Sequence, residues 1–351
     1  MSRRLLYRDA LFYMHTPPRG YHVEGPWRLE RAYRGLAEAG LLPHLEERPA
    51  PPPARARREL EMVHSPSYIE LIDRVASMGG DYIDPDTYVG PYTAMAGYAV
   101  AAATLDALAE VKDGGVALVL ARPPGHHAGR EGSAMGAPTL GFCIFNASAL
   151  AALRAADMGY KVLAIDFDLH HGNGTQEILY DDPRVVHLDL HQDPATIYPG
   201  TGWPWQTGEG EAKGTKLNAV LPPFSGDDIY TYMFDAVLDL ALEALGGAPD
   251  IVVVDAGFDA YRGDGLGLLE LTINAYRHIA HRIRKLADRI IVVLEGGYSS
   301  GLEKAFPVFT ASLMDIDAAT WTEEETRSPR KVWEAAGKNL RRLEEALRAP
   351  G

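Results

Sequence analysis

The sequence predicts an α/β protein: a doubly wound, mostly parallel β-sheet flanked by helices, of the kind that buries both sheet faces. Three observations predict it. Short runs of Val, Ile and Leu recur without polar alternation, as strands covered on both sides require. Helical stretches fall between most of them, the order expected of strand–helix–strand units. Residues able to do chemistry stand just after the carboxyl ends of these runs, where open parallel sheets bind ligands.

In chain order, Pro49–Arg58 (Pro-Ala-Pro-Pro-Pro-Ala-Arg-Ala-Arg-Arg) reads as a surface connection and not a domain boundary. Tyr92–Val111 is the first predicted helix and Val116–Leu120 the first strand. Helix Asn146–Met158 leads to strands Val162–Asp168, Val185–Leu190 and Leu217–Leu221. Helix Asp227–Leu245, strand Ile251–Asp255, helix Leu269–Leu286 and strand Ile290–Leu294 complete the series. Two Gly- and Pro-rich loops, Pro123–Gly141 and Tyr198–Lys216, are long enough to suggest function. In Lys331–Leu347, Trp333, Leu340, Leu343 and Leu347 recur at helical spacing, so this tail packs on the body. With no internal repeat, residues 1–351 read as one domain with its core over about 10–310.

Composition excludes several classes. A net charge of −14 argues against a nucleic-acid binder with a broad basic surface, and it suits cationic substrates or plain solubility. No apolar run approaches the roughly 18–20 residues of a membrane span, and the first residues lack a signal-peptide core, so the expected address is the cytoplasm. A single cysteine, Cys143, excludes an intrachain disulfide and any multi-cysteine cluster.

The strand ends carry the argument. Val116–Leu120 runs into Arg-Pro-Pro-Gly-His126-His127; Val162–Asp168 into Asp166-Phe-Asp168-Leu-His170-His171-Gly-Asn173; Ile251–Asp255 into Ala-Gly-Phe-Asp259; Ile290–Leu294 into Glu295-Gly296-Gly297-Tyr298. Asp168 and His170, two apart in an extended segment, project to one side. With Asp259 they make an O,N,O donor set that leaves positions open, as catalytic Zn²⁺ requires, while Fe²⁺, Mn²⁺ and Co²⁺ suit the same donors.

These motifs resemble those of the histone deacetylase and acetylpolyamine amidohydrolase family on the arginase–deacetylase fold, class II-like and prokaryotic in type. The matching stretches, in order, are Arg122–Ala128, Gly141–Asn146, Asp166–Gly174, Tyr198–Gly202, Gly257–Ala260 and Glu295–Tyr298. His64-Ser-Pro-Ser-Tyr68 and Asp84-Pro-Asp-Thr87 are similar to its amino-terminal signatures.

The resemblance implies a zinc-dependent amidohydrolase that removes an acetyl group from an amine nitrogen. Asp168, His170 and Asp259 would hold the metal. His127 would be general base towards water and then general acid to the departing amine, with His126 charged beside it. Asp166 would accept from His126. Opposite His127, where many members carry aspartate, stands Asn173, which orients the ring without raising its pKa. Tyr298, after Gly296 and Gly297, would stabilise the oxyanion, and its retention favours acetyl over bulkier acyl groups. Gly141, Phe142, Tyr198 and Leu266 would line a narrow tunnel for the substrate's aliphatic stem. Asp86, or alternatively Asp84, would meet the substrate at the rim, and Arg28 would line an internal channel. The resemblance also implies K⁺ near Asp166, Asp168, His170, Asp189 and Leu190, with Asp189 where members often have serine. A second cation loop, built mostly of carbonyls, would lie near Leu179, Tyr180 and Asp182.

The expected partner is an acetylated amine, either acetyl-lysine peptide or acetylpolyamine, and a homo-oligomer stays open. Two rivals remain. An arginase-like ureohydrolase would need a second set of metal ligands, and the sequence offers one. A non-catalytic acetyl-amine binding module would not need every catalytic position filled, as they are here.

Overall fold

Eight parallel strands form the central sheet: β1 (Arg3–Tyr7), β2 (Glu46–Arg48), β3 (Gly115–Val119), β4 (Val162–Asp166), β5 (Val185–Gln192), β6 (Lys216–Leu221), β7 (Ile251–Ala256) and β8 (Arg289–Leu294). They lie in the order β6-β5-β4-β7-β8-β3-β1-β2. This computed structural model describes residues 3–318 and 321–349. The inner strands are buried along almost their whole length, which is why their sequences are unbroken Val, Ile and Leu.

Helices cover both faces. Thr93–Glu110 and Ala147–Asp157 pack together on one side. Both are alanine-rich, which favours helix and lets them lie close to the strands. Asp227–Leu245, Ile273–Arg284, Gly301–Leu313 and Trp27–Glu38 form a packed series. Helix starts follow local chemistry: the Asn146 and Thr272 side chains accept from Ala149 N and Asn274 N. The carboxyl-terminal helix Arg330–Arg348 packs against β6, where Asn339 Nδ2 donates to Val220 O at 3.1 Å. No helix among the described residues is long and apolar enough to cross a membrane.

All six predicted strands and all five predicted helical stretches are present; helix Asp227–Leu245 keeps its predicted bounds and the others have shifted ends. Strand Val185–Leu190 runs on to Gln192, and helix Leu269–Leu286 begins only at Ile273. Strand Val162–Asp168 stops at Asp166. Beyond it the chain bends, because Asp166 Oδ1 accepts from Asp168 N and Asp168 Oδ1 accepts from His170 N (2.9 Å each). Asp168 and His170 therefore converge through carboxylate-stabilised turns and not through strand alternation. Loop Pro123–Gly141 contains a short hairpin, Ala128–Gly129 with Gly132–Ser133. Strands β1 and β2 were not predicted; β2 is an edge strand whose Glu-Glu-Arg sequence carries no apolar run.

Order and register position the site. β4 is followed by β5 on one side and β7 by β8 on the other, so the chain diverges between the neighbours β4 and β7. Such a switch point opens a crevice at the strands' carboxyl ends. Asp166 lies in register with Asp255 on one flank and Asp189 on the other, a row of three buried carboxylates beneath that crevice.

Candidate metal centre and active site

A cavity of about 300 Å³ opens at this crevice, lined among others by His126, His127, Asp168, His170, Asp259 and Tyr298. At its base His170 Nδ1 lies 3.2 Å from Asp168 Oδ1 and 3.1 Å from Asp259 Oδ2. Donor atoms bound about 2.0–2.2 Å from one tetrahedral zinc stand roughly 3.3 Å apart, so the donor set fits such an ion. The outer oxygens are already used: Asp168 Oδ2 accepts from Gly296 N (2.8 Å) and Asp259 Oδ1 from Leu169 N (3.0 Å). A side chain at Gly296 would collide with both carboxylates, hence glycine there.

The paired histidines differ. His126 Nδ1 meets Asp166 Oδ2 at 2.9 Å, and its Nε2 is 3.8 Å from Asp168 Oδ1. Burial opposes its charge, but Asp166 and Asp168 outweigh it and hold the imidazole well above its usual pKa. His127 Nδ1 donates to Asn173 Oδ1 at 2.7 Å, while Asn173 Nδ2 donates to Ala134 O at 2.9 Å. Asn173 thus fixes the His127 tautomer with Nε2 free to accept a proton. Burial and then His126 push His127 well below the usual range, in keeping with the effect expected of an uncharged partner.

Tyr298 stands beside the same cavity with its phenol pushed well up by burial, so it is a hydrogen-bond donor at neutral pH. Its backbone N donates to Asp264 Oδ2 at 2.8 Å. Arg28 is fully buried, stacks 4.6 Å from the Tyr298 ring centre, and donates to Gly297 O at 2.8 Å and to Glu295 O. It braces the Glu295–Tyr298 turn and is paired with Glu24.

Phe142, Tyr198, Leu266 and Asp86 line the cavity as well. Gly141 (φ +52°) is needed for close approach: a Cβ there would lie 2.5 Å from His127 Cδ2 and 2.8 Å from the Tyr198 ring. Phe142 itself sits at φ +73°, a strained conformation that turns its ring to the cavity. Asp86 spends both oxygens on hydroxyls, Thr139 and Thr87 (2.6 and 2.7 Å), while Asp84 braces Leu140 N.

Around the expected potassium position, Asp166 and Asp189 are joined by His187. Asp189 accepts from Gly172 N (2.8 Å) and pairs with His191 (2.5 Å). The buried His187 has no hydrogen-bond partner among the described residues on either ring nitrogen, so this donor set is richer than the sequence suggested. Leu190 puts its side chain in the core, leaving only its carbonyl as a donor. At the expected second cation loop, the carbonyl of Asp182 is engaged by Lys216 Nζ.

Two contributors were given no role in the site from the sequence. Glu295 Oε2 accepts from Gly125 N (2.8 Å) and His126 N (3.2 Å), fixing the histidine loop to β8. Cys143, pushed well up by burial, lies beside them as an inert thiol. Position after a strand end was a signal for Glu295; its partners, about 170 residues away in sequence, were not visible.

Comparison with known proteins decides the family: the chain matches the histone deacetylase domain over residues 22–313. It belongs to the histone deacetylase family. It is 37% identical over 279 residues to a probable deacetylase of Methanothermobacter thermautotrophicus, covering 79% of this chain and 81% of that one. It is 34% identical over 300 residues to a histone deacetylase-like amidohydrolase of Pseudomonas aeruginosa (82% and 75% covered). The crystal structure of the HDA15 HD domain superposes with a TM-score of 0.85 at 30% identity, over 98% of this chain and 95% of the other. This histone deacetylase-family chain is accordingly a hydrolytic enzyme of the deacetylase kind.

Proposed function

We propose that the chain, as one catalytic domain, uses zinc held by Asp168, His170 and Asp259 to hydrolyse the amide of an acetylated amine, such as acetyl-lysine or an acetylpolyamine. The observation that carries this reading is the convergence of three donors, a neutral imidazole and a neutral phenol on one narrow cavity. When bound, the cation supplies Lewis acidity to the carbonyl and to the attacking water. Every other role belongs to the chain. The walls of Phe142 and Tyr198 orient the aliphatic stem and exclude water from it. His127 Nε2 takes a proton from the water and returns it to the amine nitrogen as the C–N bond breaks. Tyr298 donates to the carbonyl oxygen as charge develops there. His126, held charged by Asp166, lowers the energy of that charge.

The test is Tyr298→Phe on zinc-loaded protein. Turnover of an acetyl-lysine peptide should fall about 10²–10³-fold, with zinc content near one per chain unchanged. Loss of zinc together with turnover, or unaltered turnover, would remove the role. Two transition-metal ions at the cavity would favour the ureohydrolase. Comparing acetyl-lysine peptides with acetylputrescine and acetylspermidine decides the substrate.

A further inference from the structure

Lys216 opens β6 and is wholly buried, yet no carboxylate among the described residues lies within 4.0 Å of its ammonium. Nζ donates to the backbone oxygens of Val185 (2.8 Å) and Asp182 (3.1 Å) and to Thr215 Oγ1 (2.7 Å). The Thr215 hydroxyl gives its own hydrogen to Ala212 O (2.6 Å), which leaves its lone pairs to accept. Three ammonium hydrogens thus meet three acceptors, with none left over. The carboxylate of Asp182 is turned away and taken by Arg184 (2.6 Å). Burial brings its pKa down to about 7 from 10.5, so below neutral pH these uncharged oxygens hold an ammonium ion.

Those oxygens are unusual in needing one. In the turn between helix Asn173–Leu179 and β5, Leu179 O is taken by Asp182 N and Tyr180 O by Glu209 N (3.1 Å each), so the oxygens of Asp182 and Val185 are the ones that meet on Nζ. Carbonyl oxygens converging inside a fold repel one another unless a donor or a cation sits among them. An ammonium and a monovalent metal ion meet that need alike, because both are compact single charges that carbonyl dipoles can surround. The turn matters for the cavity: the helix it ends carries Asn173, which orients His127, and the strand it begins carries Asp189.

We propose that Lys216 Nζ is the resident cation of the Leu179–Val185 turn, filling from within a carbonyl cage that would otherwise take a monovalent metal ion. The turn then keeps its shape, and Asn173 its position, whether or not K⁺ is in solution.

The test uses the zinc-loaded full chain, wild type and Lys216→Ala, melted at about pH 6, where the ammonium form prevails, in choline chloride and in KCl at equal ionic strength. Tl⁺ soaks of crystals of each locate the ion by anomalous scattering. Lys216→Ala should melt roughly 5–10 °C lower in choline chloride, recover part of that in KCl beyond any shift of wild type, and show Tl⁺ against the Asp182 and Val185 oxygens. Wild type should show none there. Tl⁺ among these oxygens in wild type overturns the proposal, as does a Lys216→Ala protein that folds and melts identically in both salts. Should Lys216→Ala not fold, the wild-type soak decides alone.

Discussion

The two sides of the cavity floor are built from adjacent residues, and they do opposite things. On one side His126 faces Asp166 at 2.9 Å and Asp168 beyond it, and its ring holds a proton far above the usual range. On the other, His127 faces an amide and a charged neighbour, and its ring is held neutral. Both are almost completely buried, so desolvation acts on both alike and cannot explain the split. The partner behind each ring does: a carboxylate on one side, Asn173 on the other. Identical side chains become one charged and one neutral imidazole because strand register set Asp166 behind one, while the start of helix Asn173–Leu179 set an amide behind the other.

Removing each ring in turn tests that division most severely. His127→Ala should lower kcat for an acetyl-lysine peptide by about 10²–10⁴-fold, the range for loss of a positioned base. His126→Ala should cost less, because it removes electrostatic support and leaves the proton's path intact. Single-turnover rates on zinc-loaded protein measure both. If the two losses are equal, or His126 proves the costlier, the assignment of base and fixed charge is reversed.

Much of this was legible in the sequence. The sheet was, because unbroken apolar runs leave few alternatives for strands buried on both faces. So was the donor set, because Asp168, His170 and Asp259 directly follow two of those runs. What stayed illegible depended on distant pairing. Strand alternation gave a correct meeting of Asp168 and His170 for the wrong reason, since carboxylate turns bring them together. Edge strand β2 has no apolar signature because solvent covers it. Glu295, which fixes the histidine loop, and Lys216, which fills the carbonyl turn, are read only once strands far apart in sequence lie side by side.

A milder change probes the same asymmetry by pH. In the proposed mechanism neutral His127 is the active form, so the rate should fall as pH drops through its pKa. Burial and then the His126 charge hold that pKa low, Asn173 brings no negative charge to oppose them, and the acidic limb of kcat should lie below the usual imidazole range. Asn173→Asp puts a carboxylate at the same 2.7 Å contact, which favours the imidazolium and should move the limb upward by about one unit or more. At pH 8 the two proteins should then differ little. A limb that stays put on Asn173→Asp means that a group other than His127 controls it.

The smallest effect on rate should come from a histidine buried as deeply but given no chemistry. His64 Nδ1 donates to Gly129 O (2.7 Å) and its Nε2 accepts from Asn146 N (2.9 Å), so both nitrogens are committed to the backbone. Burial lowers its pKa to about 4 from 6.5. The unfolded chain therefore takes up a proton first as pH falls. The stability it contributes is complete above pH 6.5, declines between 6.5 and about 4, and does not change further below that. Over this window the loss comes to about 3 kcal/mol at most. His15 and His187 (about 4) and His171 (about 3) are held down in the same way and titrate in any variant, so a difference is needed. Urea unfolding of wild type and His64→Gln at pH 7 and pH 5 supplies it: wild type should lose about 2 kcal/mol more than the variant. Equal losses would mean that His64 is not held neutral, and that burial alone does not set imidazole charge here even where no carboxylate intervenes.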